Sequence, residues 1–370
     1  MIIKDEIHGT IEFDELEGRI IDTVEFQRLR RIKQMSITYL VYPGANHTRF
    51  EHSLGTAYLS WVMAQKLGLD NDAAKKVKLG GLLHDIGHVA FSHEGEDVLE
   101  KHIGSHEEIG KKRILGGEIK DIISENYKPE EIAAIGKSSY GNIIESDLGS
   151  DRMDYLKRDA LNTGVAYGII DIDRIVHTLC MEQGRLCIDK GGLGAAEYLL
   201  IARFMMFSTV YMHKTVRIAT AMLYRAIENT IADNTVAAEE FTELDDAAAL
   251  SAMSASENAG RYAKAILDRK LYKEVCSLPK GSPAEAERLE RELSEKFSCD
   301  VIVDYPQQFF KQAELEVKTE NGLESITKLS KLVQSLKKAE EERMRVLVLA
   351  EDKMRDKHGD EIRELVGHNV

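Results

Sequence analysis

Leu82-Leu83-His84-Asp85-Ile86-Gly87-His88 is the stretch on which the reading of this chain turns. The apolar residues Ala74, Val77, Leu82, Leu83 and Ile86 recur at helical spacing, so a helix capped at Asn71 or Asp72 runs inward and carries His84 and Asp85 with it. Consecutive helix residues point about 100° apart, so both side chains can reach an ion lying beside the helix. His88, four residues after His84, falls on the same face. Two more donors stand on either side in the chain, His52 in Arg49-Phe50-Glu51-His52-Ser53 and Asp151 in Ser150-Asp151-Arg152-Met153-Asp154. Imidazole and carboxylate donors converging from separate segments suit a first-row transition metal that keeps positions open for water and a phosphate oxygen.

Outward from that motif the pattern is mainly helical. Ile2 to Phe13 reads as an extended arm or hairpin, Glu25 to Lys33 as a short helix, and Val41 to Asn46 as a loop broken by Pro43 and Gly44. Ser53 to Leu67 is apolar on nearly all sides, which predicts a buried helix ended by Gly68. Ser105-His106-Glu107-Glu108 fits a capping box and puts His106 and Glu107 in a first helical turn. Further helices are expected from Asp151 to about Gly164, from Asp171 to Met181, from Ala195 to Ile231 and from Arg261 to Val275, with a strand at Arg185 to Asp189. Three β-rich runs follow, Asp300 to Tyr305, Glu314 to Lys318 and Arg345 to Leu349, the last two flanking a helix. The expected fold is a mainly α, multi-helix core with a short β hairpin and a small C-terminal α+β appendage. The expected division is a core over 1–235, a helical extension over 236–285 and an α+β region over 286–370.

Composition narrows the partners. A formal charge of −14 over 370 residues excludes general adhesion to nucleic acid or anionic membrane, so a polyanionic substrate needs a local basic pocket. No apolar run is expected to approach the ~20 residues that span a bilayer, and the N-terminus has no signal-peptide pattern, so the chain is expected to be soluble and cytoplasmic. Cys180, Cys187, Cys276 and Cys299 form no Cys-x-x-Cys pair and read as reduced thiols.

Five blocks in order, Phe26 to Gln34, Tyr42 to Gly55, His84 to His93, Asp151 to Asp159 and Tyr211 to Lys214, resemble the HD-superfamily deoxynucleoside triphosphate triphosphohydrolases. That group includes bacterial dGTPases and the animal SAM-and-HD-domain enzyme. The similarity covers roughly residues 1–280. It implies an HD-domain core in which His52, His84, Asp85 and Asp151 bind a divalent transition metal: manganese, iron, zinc, cobalt or nickel, with magnesium accompanying the substrate phosphates. It implies further that Arg49 holds the α-phosphate, that His88, His93 and His106 surround the scissile bond, and that Glu107 orients His106. Gln34 and Asp159 would contact the sugar 3′-hydroxyl, Tyr155 and Tyr211 would pack on sugar and base, and Arg152, His213 and Lys214 would face the phosphates. Gly149, Phe207 and Met35 depart from the animal enzyme's pattern. The family also implies a homo-oligomer built from dimers.

The chemistry asks for the same residue types independently. A metal lowers the pKa of bound water from 15.7 to about 7 and polarises a phosphoryl oxygen. Expelling a nucleoside 5′-oxygen creates a basic alkoxide that needs a proton donor, and histidine suits that task. The leading expectation is hydrolysis of a deoxynucleoside triphosphate to deoxynucleoside and inorganic triphosphate, with His106 as the acid. The alternatives are an HD-type phosphatase or phosphodiesterase on another phosphate ester, for which Gln34, Tyr155, Asp159 and Tyr211 have no purpose, and a non-catalytic nucleotide sensor, for which a proton donor has none. His8 and His47 receive no role at this point, and Arg28, Arg30, Arg31 and Lys33 read equally as a solvated face or a nucleotide or subunit contact.

Overall fold

The computed structural model describes residues 1–306 and 315–368. The mainly α expectation holds. A hairpin, β1 (Ile2–Asp5) and β2 (Gly9–Glu12), leads into α1 (Glu15–Ile21), α2 (Val24–Arg28), α3 (Arg49–Lys66), α4 (Asn71–Leu83), α5 (Ser92–Ile103) and α6 (His106–Ile114). Helices α7 (Gly117–Ser124), α8 (Pro129–Ala133), α9 (Ser150–Thr163) and α10 (Ile172–Thr178) precede the hairpin β3 (Leu179–Glu182) and β4 (Arg185–Asp189), then α11 (Leu193–Met206). The remainder runs α12 (Lys214–Ala232), α13 (Asp246–Ala255), α14 (Gly260–Leu267), β5 (Lys273–Pro279), α15 (Pro283–Phe297) and β6 (Ile302–Asp304). It ends with β7 (Glu316–Thr319), β8 (Gly322–Ser325), α16 (Ile326–Leu329), α17 (Lys331–Arg343), β9 (Arg345–Ala350) and α18 (Asp352–His368).

The chain forms two compact units. The first is Met1–Met206, Ala237–Ala249 and Gln312–Leu336; the second is Phe207–Val236, Leu250–Lys311 and Lys337–Val370. The chain therefore passes between units several times, where the sequence division set single breaks after 235 and 285. In the first unit α3 lies between α4 and α9, which brings one histidine helix against the two segments that hold the other donors. Phe26, Leu29, Ile32, Phe50, Leu54, Leu79, Leu82, Leu83 and Ile86 form its apolar core. Each such side chain contributes about 1.5–3 kcal/mol on burial.

Several boundaries differ from expectation for local reasons. Helix α3 starts at Arg49 rather than Ser53, because the Glu51 carboxylate accepts from the Thr48 N–H (2.9 Å) and hydroxyl in a capping box that the apolar pattern does not reveal. The helix expected to reach Lys33 stops at Arg28 and tightens over Leu29–Arg31, since Lys33 bridges to Thr48 and the Gln34 N–H bonds the His47 carbonyl at 3.0 Å. Asp70, not Asn71 or Asp72, caps α4, its carboxylate accepting from the Ala73 N–H at 2.8 Å. The single helix expected over Ala195 to Ile231 is two, α11 and α12, separated by a π-helical turn at Phe207–Tyr211. The helices expected to reach Met181 and Val275 stop at Thr178 and Leu267, and β3 and β5 follow.

The expected single α+β appendage is distributed over two sheets. In the first unit β7 pairs in parallel with β4 (Ile188 opposite Val317), giving the order β3-β4-β7-β8. In the second, β9 lies between β5 and β6 with both pairs antiparallel, and Val275, Leu293, Val301, Val346, Val348 and Ile362 form its core. The pattern that expected a strand from Glu314 identifies β7, although Glu314 itself lies outside the described residues. Instead of one helix between the last two predicted strands there are β8, α16 and α17. The run Lys190–Tyr211 is long and apolar enough to cross a bilayer, which corrects the expectation that none comes near. Half of it is buried, and α11 packs against α9 and α10 with Arg203 paired to Asp147.

Candidate metal centre

His52 sits in the second turn of α3, His84 and Asp85 lie at the end of α4, and Asp151 is in the first turn of α9. The structure brings all four together. His52 Nε2 is 3.0 Å from Asp151 Oδ1, 3.3 Å from His84 Nε2 and 3.6 Å from Asp85 Oδ2; His84 Nε2 is 3.2 Å from Asp85 Oδ1 and 3.7 Å from Asp151 Oδ1. Both imidazoles have their other nitrogen engaged, His52 Nδ1 with Asp154 Oδ2 at 2.7 Å and His84 Nδ1 with the Gly81 carbonyl at 2.8 Å. Those partners fix the ring orientation and leave two Nε2 atoms and two carboxylates facing one point, the arrangement a divalent cation requires. One carboxylate that does this work, Asp154, was not among the predicted residues. It also meets His8 Nε2 at 2.7 Å and both Arg158 nitrogens at 2.9 Å, and Arg158 reaches Asp5. His8 thus has a place after all. The spacing Asp151-x-x-Asp154-x-x-x-Arg158 was a usable signal. Gly55 is required here, because a Cβ on it would lie 1.9 Å from Asp154 Oδ1.

The electrostatics favour a cation. Burial would lower the His52 imidazole, but hydrogen bonds from Asp151 and Asp154 and the Asp85 charge push it up to about 10. Burial would raise Asp85, but Arg49, His84 and His88 beside it hold it well below the usual carboxylate range. Asp151 is likewise held down by His52 and His84 against the effect of burial. At this point the carboxylates outweigh the desolvation penalty on positive charge.

A second group of imidazoles adjoins the first. His88, His93, Glu96 and His106 present donor atoms within 4.8 Å of one another. His88 and His106 stack at 4.2 Å with planes 10° apart. Gly87 permits this approach, since a Cβ there would lie 2.0 Å from the His106 carbonyl oxygen. The predicted link from Glu107 to His106 is corrected: Glu96 accepts from the His106 N–H at 2.6 Å and meets His106 Nδ1 at 2.8 Å, while Glu107 meets the Ser105 hydroxyl. As the first residue of a helix His106 needs an acceptor for its free N–H, and a carboxylate one helix earlier provides it. His93 Nδ1 also meets Glu96, at 3.3 Å. The two stacked rings differ in charge. Burial and then the Arg49 charge push His88 well below the ordinary histidine range, whereas Glu96 raises His106 against burial.

Of the substrate candidates, Arg49 is buried with Nη1 on Asp85 at 2.7 Å and Nε on the Ser92 hydroxyl at 2.9 Å. Gln34 and Asp159 meet through His47: the Gln34 N–H bonds the His47 carbonyl, and His47 Nε2 lies 2.7 Å from Asp159 Oδ1. Gln34 Oε1 and His88 Nδ1 are buried without a hydrogen-bond partner, while His88 Nε2 lies 3.3 Å from Asp85 Oδ1. Tyr155 lies edge-on to His52, ring centroids 6.5 Å apart. Arg152 and Arg203 both meet the carboxylate of Asp147, and Arg203 is an addition that the motif blocks did not include. Tyr211, His213 and Lys214 belong to the second unit. There Tyr211 packs edge-to-face on Phe207, His213 caps α12 by accepting the Thr215 N–H, and Lys214 pairs with Glu274 at 3.0 Å.

Residues 49–159 match the HD domain, and residues 170–368 match the HD associated region. The chain belongs to the HD-domain phosphohydrolase family. It is 39% identical over 360 residues to the uncharacterized protein MJ1154 of Methanocaldococcus jannaschii, spanning 92% of this chain and 76% of that one. It is 30% identical over 269 residues to a deoxynucleoside triphosphate triphosphohydrolase SAMHD1 homolog of Dictyostelium discoideum, spanning 66% of this chain and 51% of that protein. A solved phosphohydrolase of Bacteroides thetaiotaomicron superposes with a TM-score of 0.78 at 25% identity, covering 95% of this chain and 99% of that one.

Proposed function

We propose that this hydrolase converts deoxynucleoside triphosphates to deoxynucleoside and inorganic triphosphate. The observation that carries the reading is His106, held at Nδ1 by Glu96, next to the group of His52, His84 and Asp85 that Asp151 joins through His52 and His84. Breaking the bond between the α-phosphorus and the 5′-oxygen expels a basic alkoxide, and a histidine whose hold on its proton is strengthened by a carboxylate is the group that such a leaving atom needs. A leaving pyrophosphate would need no such donor.

His52, His84, Asp85 and Asp151 would hold a divalent transition metal, which when bound supplies an acidified water and a polarised phosphoryl oxygen. The remaining work belongs to the chain. His106 passes its proton to the departing 5′-oxygen, and Glu96 keeps that proton available and aims the ring. His88, neutral and stacked on His106, fixes the ring plane without adding charge. Arg152 and Arg203, joined through Asp147, are the guanidinium groups that would face the phosphates. Gln34 and the His47-held Asp159 form the side to which a sugar 3′-hydroxyl would bond. The named activity of the Dictyostelium relative supports the same substrate class. The test is chromatographic identification of products from the four deoxynucleotides, singly and mixed, with manganese. Deoxynucleoside with triphosphate is expected; orthophosphate, pyrophosphate or a monophosphate as first product overturns the reading in favour of another phosphate-ester hydrolase.

A further inference from the structure

We propose that Asp246, which lies far along the chain from every motif block, is a positioning residue that fixes the wall of the site carrying Gln34, Arg49 and His93. Its two carboxylate oxygens divide between two segments: Oδ2 accepts the Lys33 N–H at 2.9 Å and Oδ1 accepts the Phe91 N–H at 2.8 Å. Lys33 immediately precedes Gln34, and Phe91 precedes Ser92 and His93. Those same segments are tied a second time by Ser92, whose hydroxyl donates to the Lys33 carbonyl at 2.7 Å and accepts from Arg49 Nε at 2.9 Å. Arg49 in turn bonds Asp85 at 2.7 Å. One carboxylate therefore closes a continuous path of hydrogen bonds that ends on a residue of the metal cage. Asp246, Lys33, Phe91, Ser92, Arg49 and Asp85 all lie in the first unit.

The local backbone gives the carboxylate its task. Phe91 and Ser92 are consecutive non-glycine residues with φ of 66° and 56°, a left-handed conformation that L-residues avoid unless their surroundings hold them there. Phe91 is also the residue preceding the first turn of α5, and it provides no side-chain cap. An anionic acceptor at that end suits both the free N–H groups and the helix dipole. The burial of Asp246 is otherwise costly: its side chain is among the buried polar groups, and burial pushes its carboxyl up to about 6 against the pull of the two backbone donors and Lys33.

The inference rests on the substrate reading only for its kinetic consequence. In Asp246→Asn one acceptor becomes an NH2 group, so amide exchange at whichever of Lys33 and Phe91 then faces it, followed by hydrogen-exchange mass spectrometry or NMR, is expected to speed up about tenfold. Metal content per chain and helical circular dichroism are expected to match the wild type. KM for the deoxynucleotide is expected to rise about tenfold with kcat changed less than about threefold, because Arg49 and Gln34 lose their fixed positions while the cage and His106 do not. Ser92→Ala interrupts the same path and is expected to add little to the Asp246→Asn effect. Unchanged exchange at both amides, full additivity of the two substitutions, or loss of metal and helicity together in Asp246→Asn would overturn the proposal. If the wild type turns over no deoxynucleotide, the substrate reading fails while the exchange measurement still decides the role of Asp246.

Discussion

The two imidazole groups of the first unit are built from the same residue types and behave oppositely. In the cage, His52, His84, Asp85 and Asp151 come from three separate helices, and carboxylates outnumber the local cations enough to draw positive charge inward. In the adjoining group, His88, His93, Glu96 and His106 come from one stretch of nineteen positions; Glu96 meets His106 at 2.8 Å and His93 at 3.3 Å, while burial and the Arg49 charge outweigh Asp85 at His88. Identical rings 4.2 Å apart thus have their proton affinities pushed in opposite directions. The lesson is that a histidine's role here is set by which charged neighbour it receives, not by its motif.

The sharpest break of this comparison is Asp151→Ala, which is expected to abolish both bound metal and hydrolysis while leaving helicity largely intact; full activity in that variant would sink the cage assignment. Next in size, His106→Ala is expected to keep its metal and lose about 10²- to 10⁴-fold in kcat, the usual contribution of a proton donor. Its partner substitution, Glu96→Gln, sharpens the point through pH. A raised His106 pKa keeps the donor protonated until pH rises through it, so activity is lost on the alkaline side; removing Glu96 is expected to move that limb to lower pH, and an unmoved limb in kcat against pH would show that another group titrates.

Asp154→Asn leaves the four donors in place and weakens only the hold on His52, so metal affinity measured by chelator competition is expected to fall about 10- to 100-fold. The smallest effect concerns Glu94, two positions before Glu96. Histidine neighbours take Glu96 down, whereas burial takes Glu94 up to about 7. Between the ordinary glutamate range and pH 7 the folded state keeps a proton the unfolded chain releases, so stability falls as pH rises through that window. Glu94→Gln is therefore expected to raise stability at pH 8 by on the order of 1 kcal/mol and to change nothing at pH 4, read by denaturant unfolding at the two pH values.

Much of this was legible beforehand. The amphipathic run into His84-Asp85 and the capping box at Ser105 identified α4 and α6, because periodicity and capping are local properties. The break of α11 from α12 and the parallel pairing of β4 with β7 were not, since each depends on partners distant in sequence. The replacement of Glu107 by Glu96 as the partner of His106, and the roles of His8 and His47, escape the sequence for the same reason: nothing local distinguishes a carboxylate that will meet a histidine from one that will meet water.

The order of the candidate donors, His52, then His84-Asp85, then Asp151, was legible in the sequence alone, which also put His84 and Asp85 at the inner end of α4, because apolar periodicity is a local property. Tertiary structure decided which nitrogen of each ring faces inward, which ring keeps its proton, and that Asp246 reaches back to Lys33 and Phe91. Those outcomes depend on distances of a few ångströms between segments far apart in the chain, where burial strengthens each charge and each hydrogen bond enough to choose between states.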